Sequence, residues 1–243
     1  MHNDFIEISV IASAARPQYW LEFYENISKN NLVPFEIVFV GPVEPDFNLP
    51  SNFRYYKSNV KISQCVEAAY RFSRGKYVFP IADDCLFCDG FLNKLHSHTM
   101  QNDMDKVIVI PRSARRWKVK IKSLYHRKND KYPVVGLTSL MKKDTYISCG
   151  GIDNRFVNVY WHEDVHLRLY DRGYTPVVAN DCIFNELDRG SYLTKTYGAD
   201  DHKKLISLWS NARGEFVPKR QDEMKCFKDE GLLYYDQGDK RRM

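Results

Sequence analysis

Short apolar runs alternate with helical segments through the first half of the chain, and this alternation restricts the fold more than any other feature. The runs are rich in β-branched and aromatic residues, as is typical of buried strands. Strands are predicted at Phe5–Ala12, Phe35–Val40, Phe53–Tyr56 and Tyr77–Ala82, and helices at Tyr19–Ile27 and Ser63–Ser73. Strands that are joined through helices form βαβ units. The sequence therefore predicts an α/β fold with a central, mostly parallel mixed sheet flanked by helices.

The second half is more mixed. Lys106–Pro111 and Val177–Phe184 are predicted strands, and His162–Asp171 is a predicted helix that ends before Gly173. Between them, Arg112–Lys131 is dense in Lys and Arg, and the alternation around Trp117 predicts a ribbon with one cationic face. After about residue 200 the periodicity fades.

Composition limits the class of protein. A chain of 243 residues with 44% hydrophobic residues fits one globular domain, and its formal net charge of +5 does not predict nucleic-acid binding. The chain has no apolar run of membrane-spanning length, and its N-terminus lacks the pattern of a secretory signal, so we expect a cytoplasmic protein. The six cysteines are then expected as free thiols, and the single Cys85-x-x-Cys88 pair does not predict a zinc site.

Two acidic residues follow the last strand of the first half. Asp83 and Asp84 come directly after the predicted strand Tyr77–Ala82. Ligands of open α/β sheets bind beyond the carboxyl ends of the strands. Paired carboxylates there suit Mg²⁺ or Mn²⁺, and such a cation can stabilise a departing phosphate. The alternative interpretation is that one of the two caps a turn or a helix.

A second acidic pair begins the predicted helix of the second half. Glu163 and Asp164 are placed to accept a proton from a hydroxyl group. The alternative is a structural role, with acids favoured in a first helical turn and Asp164 paired to Arg168. The same segment matches the pattern HExxH, through which His162 and His166 would bind zinc as in metalloproteases, with Glu186 as a third ligand.

Together these segments resemble the inverting family-2 glycosyltransferases, which have the Rossmann-like A-type nucleotide-sugar transferase fold. The resemblance covers about residues 5–190. Four segments carry it in order: VIASAARP, SRGKYVFPIADDCLF, GLTSLMKKDTYISCGGIDNRF and HEDVHLRLYDRGY.

The resemblance implies a role for each matching position. Asp83 and Asp84 would hold a Mn²⁺ or Mg²⁺ ion and the donor diphosphate, and the turn from Ser13 to Arg16 would lie near the nucleotide. Asp164 would deprotonate the acceptor, with Glu163 assisting or orienting it. The reaction would be one in-line displacement that transfers a sugar to an acceptor hydroxyl and inverts the anomeric carbon.

The domain organisation follows the same resemblance. Residues 1–243 would form a single glycosyltransferase domain, with the nucleotide-sugar donor half at about 5–90, the acceptor half at 91–200 and a C-terminal extension at 201–243. The acceptor would be a glycan, a lipid-linked sugar or a protein. Arg112–Lys131 would attract donor phosphates, an anionic acceptor or a membrane surface. An alternative function is a catalytically silent nucleotide-sugar-binding module on the same fold.

Three positions depart from the usual family pattern. Gly41 stands where an Asp commonly contacts the base after the second strand, which leaves Glu44 or Asp46 as substitutes. Ile81 stands where the aspartate motif often begins with another Asp. The His that often follows the last strand is replaced by Asn185, with His202 as the other candidate to complete a metal site.

Overall fold

The computed structural model describes residues 5–114, 138–187, 192–211 and 219–234. Its strands are β1 Ile8–Ser13, β2 Phe35–Gly41, β3 Phe53–Lys57, β4 Tyr77–Pro80, β5 Cys85–Phe87, β6 Val107–Ser113, β7 Met141–Lys142 and β8 Thr175–Glu186. Its helices are α1 Trp20–Ser28, α2 Ile62–Phe72, α3 Phe91–Gln101, α4 Lys143–Ser148, α5 Trp161–Asp171 and α6 Tyr192–Leu208. Within these ranges no helix has the length and apolar character needed to cross a bilayer.

The strands form two sheets. The larger has the order β3-β2-β1-β4-β7, in which the first four strands are parallel and β7 is antiparallel to β4. The smaller has the order β5-β8-β6 and is joined to the larger through an isolated bridge between Val109 and Leu140. The predicted α/β fold with a central, mostly parallel sheet and flanking helices is therefore confirmed.

Pro80 lies in a central strand, where a missing N–H would normally break a ladder. The neighbouring amide of Ile81 donates to Ile11 on β1 at 2.9 Å, so the nitrogen of Pro80 faces the other side. On that side β7 pairs only with Tyr77 and Val78, and ends before it reaches Pro80. The nitrogen of Pro80, which has no hydrogen to donate, therefore faces a side on which β7 does not pair with this residue.

The core is divided between the two faces of the larger sheet. Alternate residues of β1 point to opposite faces, so that Ile11 packs with α2 and α5, and Val10 packs with α1 and α3. Trp209, which follows α6, is fully buried in the first of these clusters. The segment that sequence analysis treated as a C-terminal extension thus contributes to the core.

Candidate active site

Asp83 fixes the turn that follows β1. Its carboxylate accepts five hydrogen bonds: from the backbone N–H groups of Ala15 (2.7 Å) and Arg16 (2.8 Å), from two guanidinium nitrogens of Arg16, and from Nε1 of Trp20 (3.2 Å). A carboxylate offers about four lone-pair positions. Asp83 is therefore saturated, and it joins the carboxyl ends of β1 and β4 at the edge where ligands of such sheets bind.

Asp84 shares the same guanidinium. Its Oδ2 lies 2.7 Å from Nη1 of Arg16, and both aspartate side chains are 1% exposed while Arg16 is 24% exposed. Ser13, the last residue of β1, is half-buried and pairs with Val40. The four predicted donor-side residues thus lie on β1, the turn after it and the end of β4, and ion pairs hold three of them together.

Gly41 lies against this turn. A Cβ atom there would stand 1.6 Å from the carbonyl oxygen of Ala14, so no side chain fits at the position where the family commonly has an Asp. The two substitutes considered are Glu44 and Asp46. Glu44 is paired at 2.6 Å with Lys57 on the surface.

Asp164 lies in the first turn of α5 and is fully buried. Its Oδ2 accepts from Nε of Arg168 at 2.9 Å, and its Oδ1 accepts from Nε1 of Trp209 at 2.9 Å and from Nε of Arg220 at 3.0 Å. These three donors surround the carboxylate that sequence analysis predicts as the base. Trp209 and Arg220 come from the C-terminal segment and were not foreseen.

Glu163 presents a different environment. Its Oε2 lies 2.9 Å from Nε2 of His162, yet neither atom has a hydrogen bond of acceptable geometry. The side chains of His162 and Glu163 are 14% and 11% exposed, although Nε2 of His162 and Oε2 of Glu163 are themselves buried. Glu163 therefore offers a carboxylate oxygen that the described protein donors do not occupy.

His166 is turned away from any metal-like arrangement. Its Nε2 lies 2.7 Å from Oγ of Ser139, and burial, with a smaller effect of His162, lowers its pKa to about 3. The neighbouring Thr138 donates its hydroxyl to the carbonyl of Pro80. Thr138 and Ser139 thus link the end of β4 to the second turn of α5 through side-chain hydrogen bonds. The acidic pair after β4 and the acidic pair at the start of α5 are therefore on elements that these two residues join. Among the described residues, His162, Glu163 and His166 do not form a metal-ligand group.

The loop before α5 is held by buried acids that the sequence did not reveal. Asp201 on α6 accepts from the successive backbone N–H groups of Val157, Asn158 and Val159. Burial would raise the pKa of Asp153, but hydrogen bonds from Arg155 and Arg220 outweigh that effect and lower it. The helix then starts after Tyr160, whose φ of 64° is left-handed. These contacts fix the orientation of the first turn of α5.

The acidic pair after β4 fits a divalent cation only in part. Asp83 does not fit as a ligand, because its oxygens are saturated by protein donors. Asp84 is a hard oxygen ligand at the ligand edge, but it is paired with Arg16. The candidates for an additional ligand lie against other groups: Asn185 pairs with Leu86 in the small sheet, and the ring of His202 is 5.0 Å from that of Tyr160.

A cavity of about 410 Å³ is lined by α2, α4, the Gly150–Gly151 turn and Cys226–Asp229, and it contains none of the predicted site residues.

Of the basic stretch Arg112–Lys131, only Arg112–Ala114 are described. The predicted cationic ribbon and most of the proposed membrane-contact surface lie outside the described residues.

Solved structures with a similar arrangement include several of the S. aureus protein TarS. TarS 1-349 superposes with a TM-score of 0.62 at 11% sequence identity, covering 84% of this chain and 64% of that one. The chain has the A-type glycosyltransferase fold. The complex of TarS 1-349 with UDP-GlcNAc gives a TM-score of 0.61 at 13% identity, covering 84% of this chain and 65% of that one. The complex of TarS 1-349 with UDP superposes with a TM-score of 0.59 at 12% identity, covering 83% of this chain and 64% of that one.

The likeness is visible in structure and not in sequence. No family model matches the chain, and a search of curated proteins by sequence returns no relative. The chain spans less than two thirds of TarS 1-349. At such low identity the superposition establishes the fold alone.

Proposed function

We propose that the chain is a glycosyltransferase, which moves a sugar from a nucleotide-diphosphate donor to an acceptor hydroxyl with inversion. The observation that carries the proposal is the pairing of the A-type fold with an acidic pair at the carboxyl end of β4. TarS, which shares the fold, has been crystallised with UDP-GlcNAc and with UDP. A uridine-diphosphate sugar is therefore the first donor to test.

The donor would lie over the turn from Ser13 to Arg16. Because Asp83 accepts the backbone N–H groups of Ala15 and Arg16, this turn is already ordered before a ligand arrives. A preordered site loses less conformational entropy on binding. Position 41 cannot supply the base contact, since its backbone packs on Ala14. Base selection must then come from other residues around the turn.

The acceptor would be deprotonated at the start of α5. Of the two predicted acids, Asp164 is enclosed by Arg168, Trp209 and Arg220, whereas Glu163 retains an unbonded oxygen. We assign the general base to Glu163 and the positioning of the helix turn to Asp164, which reverses the emphasis of the sequence-based prediction. The base removes the hydroxyl proton while the acceptor oxygen attacks the anomeric carbon and the nucleoside diphosphate departs.

The proposal includes Mn²⁺ or Mg²⁺, held by Asp84 with oxygens of the donor. One protein carboxylate with phosphate oxygens is a common way to hold these ions. When bound, the ion would neutralise charge on the departing diphosphate. Asp83 keeps its contacts with the turn, and Arg16 competes with the ion for Asp84.

A donor panel tests the proposal. UDP-, GDP-, ADP- and TDP-sugars are each incubated with Mn²⁺ or with EDTA, and release of nucleoside diphosphate is measured for the wild type and Asp84→Asn. Asp89→Asn is the matched control, because Asp89 is an exposed acid at the other end of β5. We expect one donor to be turned over by the wild type and the control, and to be lost in Asp84→Asn.

The alternative of a silent binding module predicts a different pattern. Donors would then raise the melting temperature of the protein without any release of nucleoside diphosphate, with or without candidate acceptors. Glu163→Gln would leave such binding unchanged. If no nucleotide sugar shifted the melting temperature or was turned over, the transferase proposal would be wrong.

A further inference from the structure

A cluster of metal-ligating side chains lies where α3 packs on β8. His98 on α3 and the neighbours Asp181 and Cys182 on β8 have ligand atoms that all lie within 4.8 Å of one another. Nε2 of His98 is 2.7 Å from Oδ1 of Asp181, and Sγ of Cys182 is 3.8 Å from the same oxygen. Cys182 is fully buried, whereas Asp181 is 55% exposed. The cluster is thus closed on the protein side and open to solvent on the other.

A second thiol stands next to the cluster. Sγ of Cys88, just after β5, lies 3.4 Å from the carbonyl oxygen of Asp181 and 3.4 Å from the amide nitrogen of Ile183. These two backbone groups flank Cys182. Nζ of Lys94 is 3.7 Å from the same sulfur, so a positive charge faces it.

We propose that His98, Asp181 and Cys182 form a zinc site, which the thiol of Cys88 would complete as fourth ligand after its side chain moves closer. Imidazole, thiolate and carboxylate are the ligand types that zinc uses in proteins. Tetrahedral bonds of about 2.0–2.3 Å separate an oxygen from a nitrogen by about 3.4 Å and from a sulfur by about 3.6 Å. The sulfur–oxygen distance of 3.8 Å is already close to this spacing, and the His98–Asp181 pair at 2.7 Å must open slightly.

The charges balance in such a site. One thiolate and one carboxylate neutralise Zn²⁺, and a thiolate at Cys88 would add a negative charge that Lys94 faces. Binding of zinc to the Cys182 thiol breaks the S–H bond and releases that proton to the solvent, with no change in oxidation state.

The site is separate from the proposed catalytic centre. Strand β5 (Cys85–Phe87) lies between Asp84 and Cys88, so Cys88 next to the cluster is four residues, or about 13 Å, along the chain from the acidic pair. Zinc would tie α3, β5 and β8 together and would serve a structural role. The Cys85-x-x-Cys88 pattern supplies only Cys88, because Cys85 is buried in the core, and of the other ligands Asp181 comes 93 residues after Cys88.

Cobalt binding tests the site. The full chain is stripped of metal with a chelator and titrated with Co²⁺, whose thiolate charge-transfer and tetrahedral visible bands report the ligands, and then with Zn²⁺. The variants are His98→Gln and Cys182→Ser. The control is Cys226→Ser, which removes an exposed thiol from another surface. His98 is 19% exposed whereas Cys182 is fully buried, so we expect His98→Gln to keep the fold even if Cys182→Ser does not.

We expect one equivalent of Co²⁺ with a thiolate band, displaced by Zn²⁺, in the wild type and in Cys226→Ser. His98→Gln should lower the affinity at least about tenfold. Zinc should also raise the melting temperature of the wild type and leave that of His98→Gln unchanged. Absence of stoichiometric binding, or equal binding in folded His98→Gln, would overturn the proposal and leave a plain His98–Asp181 ion pair. Donor turnover in these preparations tests the transferase function independently.

Discussion

Replacement of the two acids of α5 tests the proposed division between a structural carboxylate at Asp164 and a catalytic one at Glu163. Asp164→Asn removes the charge that faces Arg168 and Arg220, whose side chains are only 8% and 9% exposed. Breaking a buried ion pair by removing one partner costs about 3–5 kcal/mol. The asparagine side chain keeps one oxygen that can accept a hydrogen bond, so we expect the lower end of this range, a loss of about 3 kcal/mol in the free energy of unfolding.

The matched variant is Glu163→Gln. Glu163 Oε2 accepts no hydrogen bond, so the substitution should change stability by less than about 1 kcal/mol. For a domain of this size, 1 kcal/mol shifts the melting temperature by about 2–4 °C. Asp164→Asn should therefore melt about 6–12 °C lower than the wild type, and Glu163→Gln within about 4 °C of it.

The assays are thermal unfolding and release of nucleoside diphosphate from the donor. Loss of a general base lowers kcat by about 10²–10⁴-fold. We expect that loss in Glu163→Gln, with KM for the donor unchanged because the proposed donor site lies at the other acidic pair. If Asp164→Asn keeps the wild-type melting temperature but loses turnover while Glu163→Gln stays active, the assignment of roles is reversed.

Three further predictions rest on single contacts. The pKa of His166 falls from 6.5 in the unfolded chain to about 3 on folding, so protonation of this residue favours the unfolded chain. The contribution of His166 to the free energy of unfolding is therefore fully present above pH 6.5 and is lost as the pH falls from 6.5 towards 3. Chemical denaturation should show a loss of about 1.4 kcal/mol between pH 8 and pH 5.5, and His166→Gln should remove that slope. Gly41→Ala should lower the free energy of unfolding by about 3 kcal/mol, because its Cβ atom would clash with the backbone of Ala14. Gly231 has open space around it but a φ of 74°, so Gly231→Ala should lower the free energy of unfolding by only about 1 kcal/mol in the same measurement. Asp201→Ala should leave three backbone N–H groups before α5 unpaired, lowering the melting temperature and increasing hydrogen exchange at those amides; unchanged exchange there would contradict this role.

Strong periodicity made most of the fold predictable. The predicted strands at β1, β2 and β4 and the predicted helices at α2 and α5 agree with the structure within a few residues, because each has a clear apolar face or run. Helix α3 was missed because its sequence FLNKLHSHTMQ is mostly polar, and β7 because it has only two residues. Helix α6 was missed because YLTKTYGADDHKKLISL lacks a continuous apolar stripe.

The positions of the site residues were predictable, and their partners were not. A strand that ends in two aspartates locates them at the ligand edge from sequence alone. That Arg16 holds both requires contacts across 67 and 68 residues, and that Asp164 faces Trp209 and Arg220 requires contacts across 45 and 56 residues. Sequence spacing predicts pairs within one helix, such as Asp164 with Arg168, and contains no signal for donors from distant segments.

The dependence of Asp164 on Arg220 has a consequence for synthesis on the ribosome. The carboxylate is made 56 residues before its last partner. At about 5–20 residues per second, that interval lasts roughly 3–11 s. During this time the strands β1–β4 are already outside the exit tunnel, but the first turn of α5 still lacks the cation that closes it. A nascent chain stalled in this window would hold an α5 whose buried carboxylate lacks one of its cations, so closure of this turn depends on synthesis of the segment around Arg220.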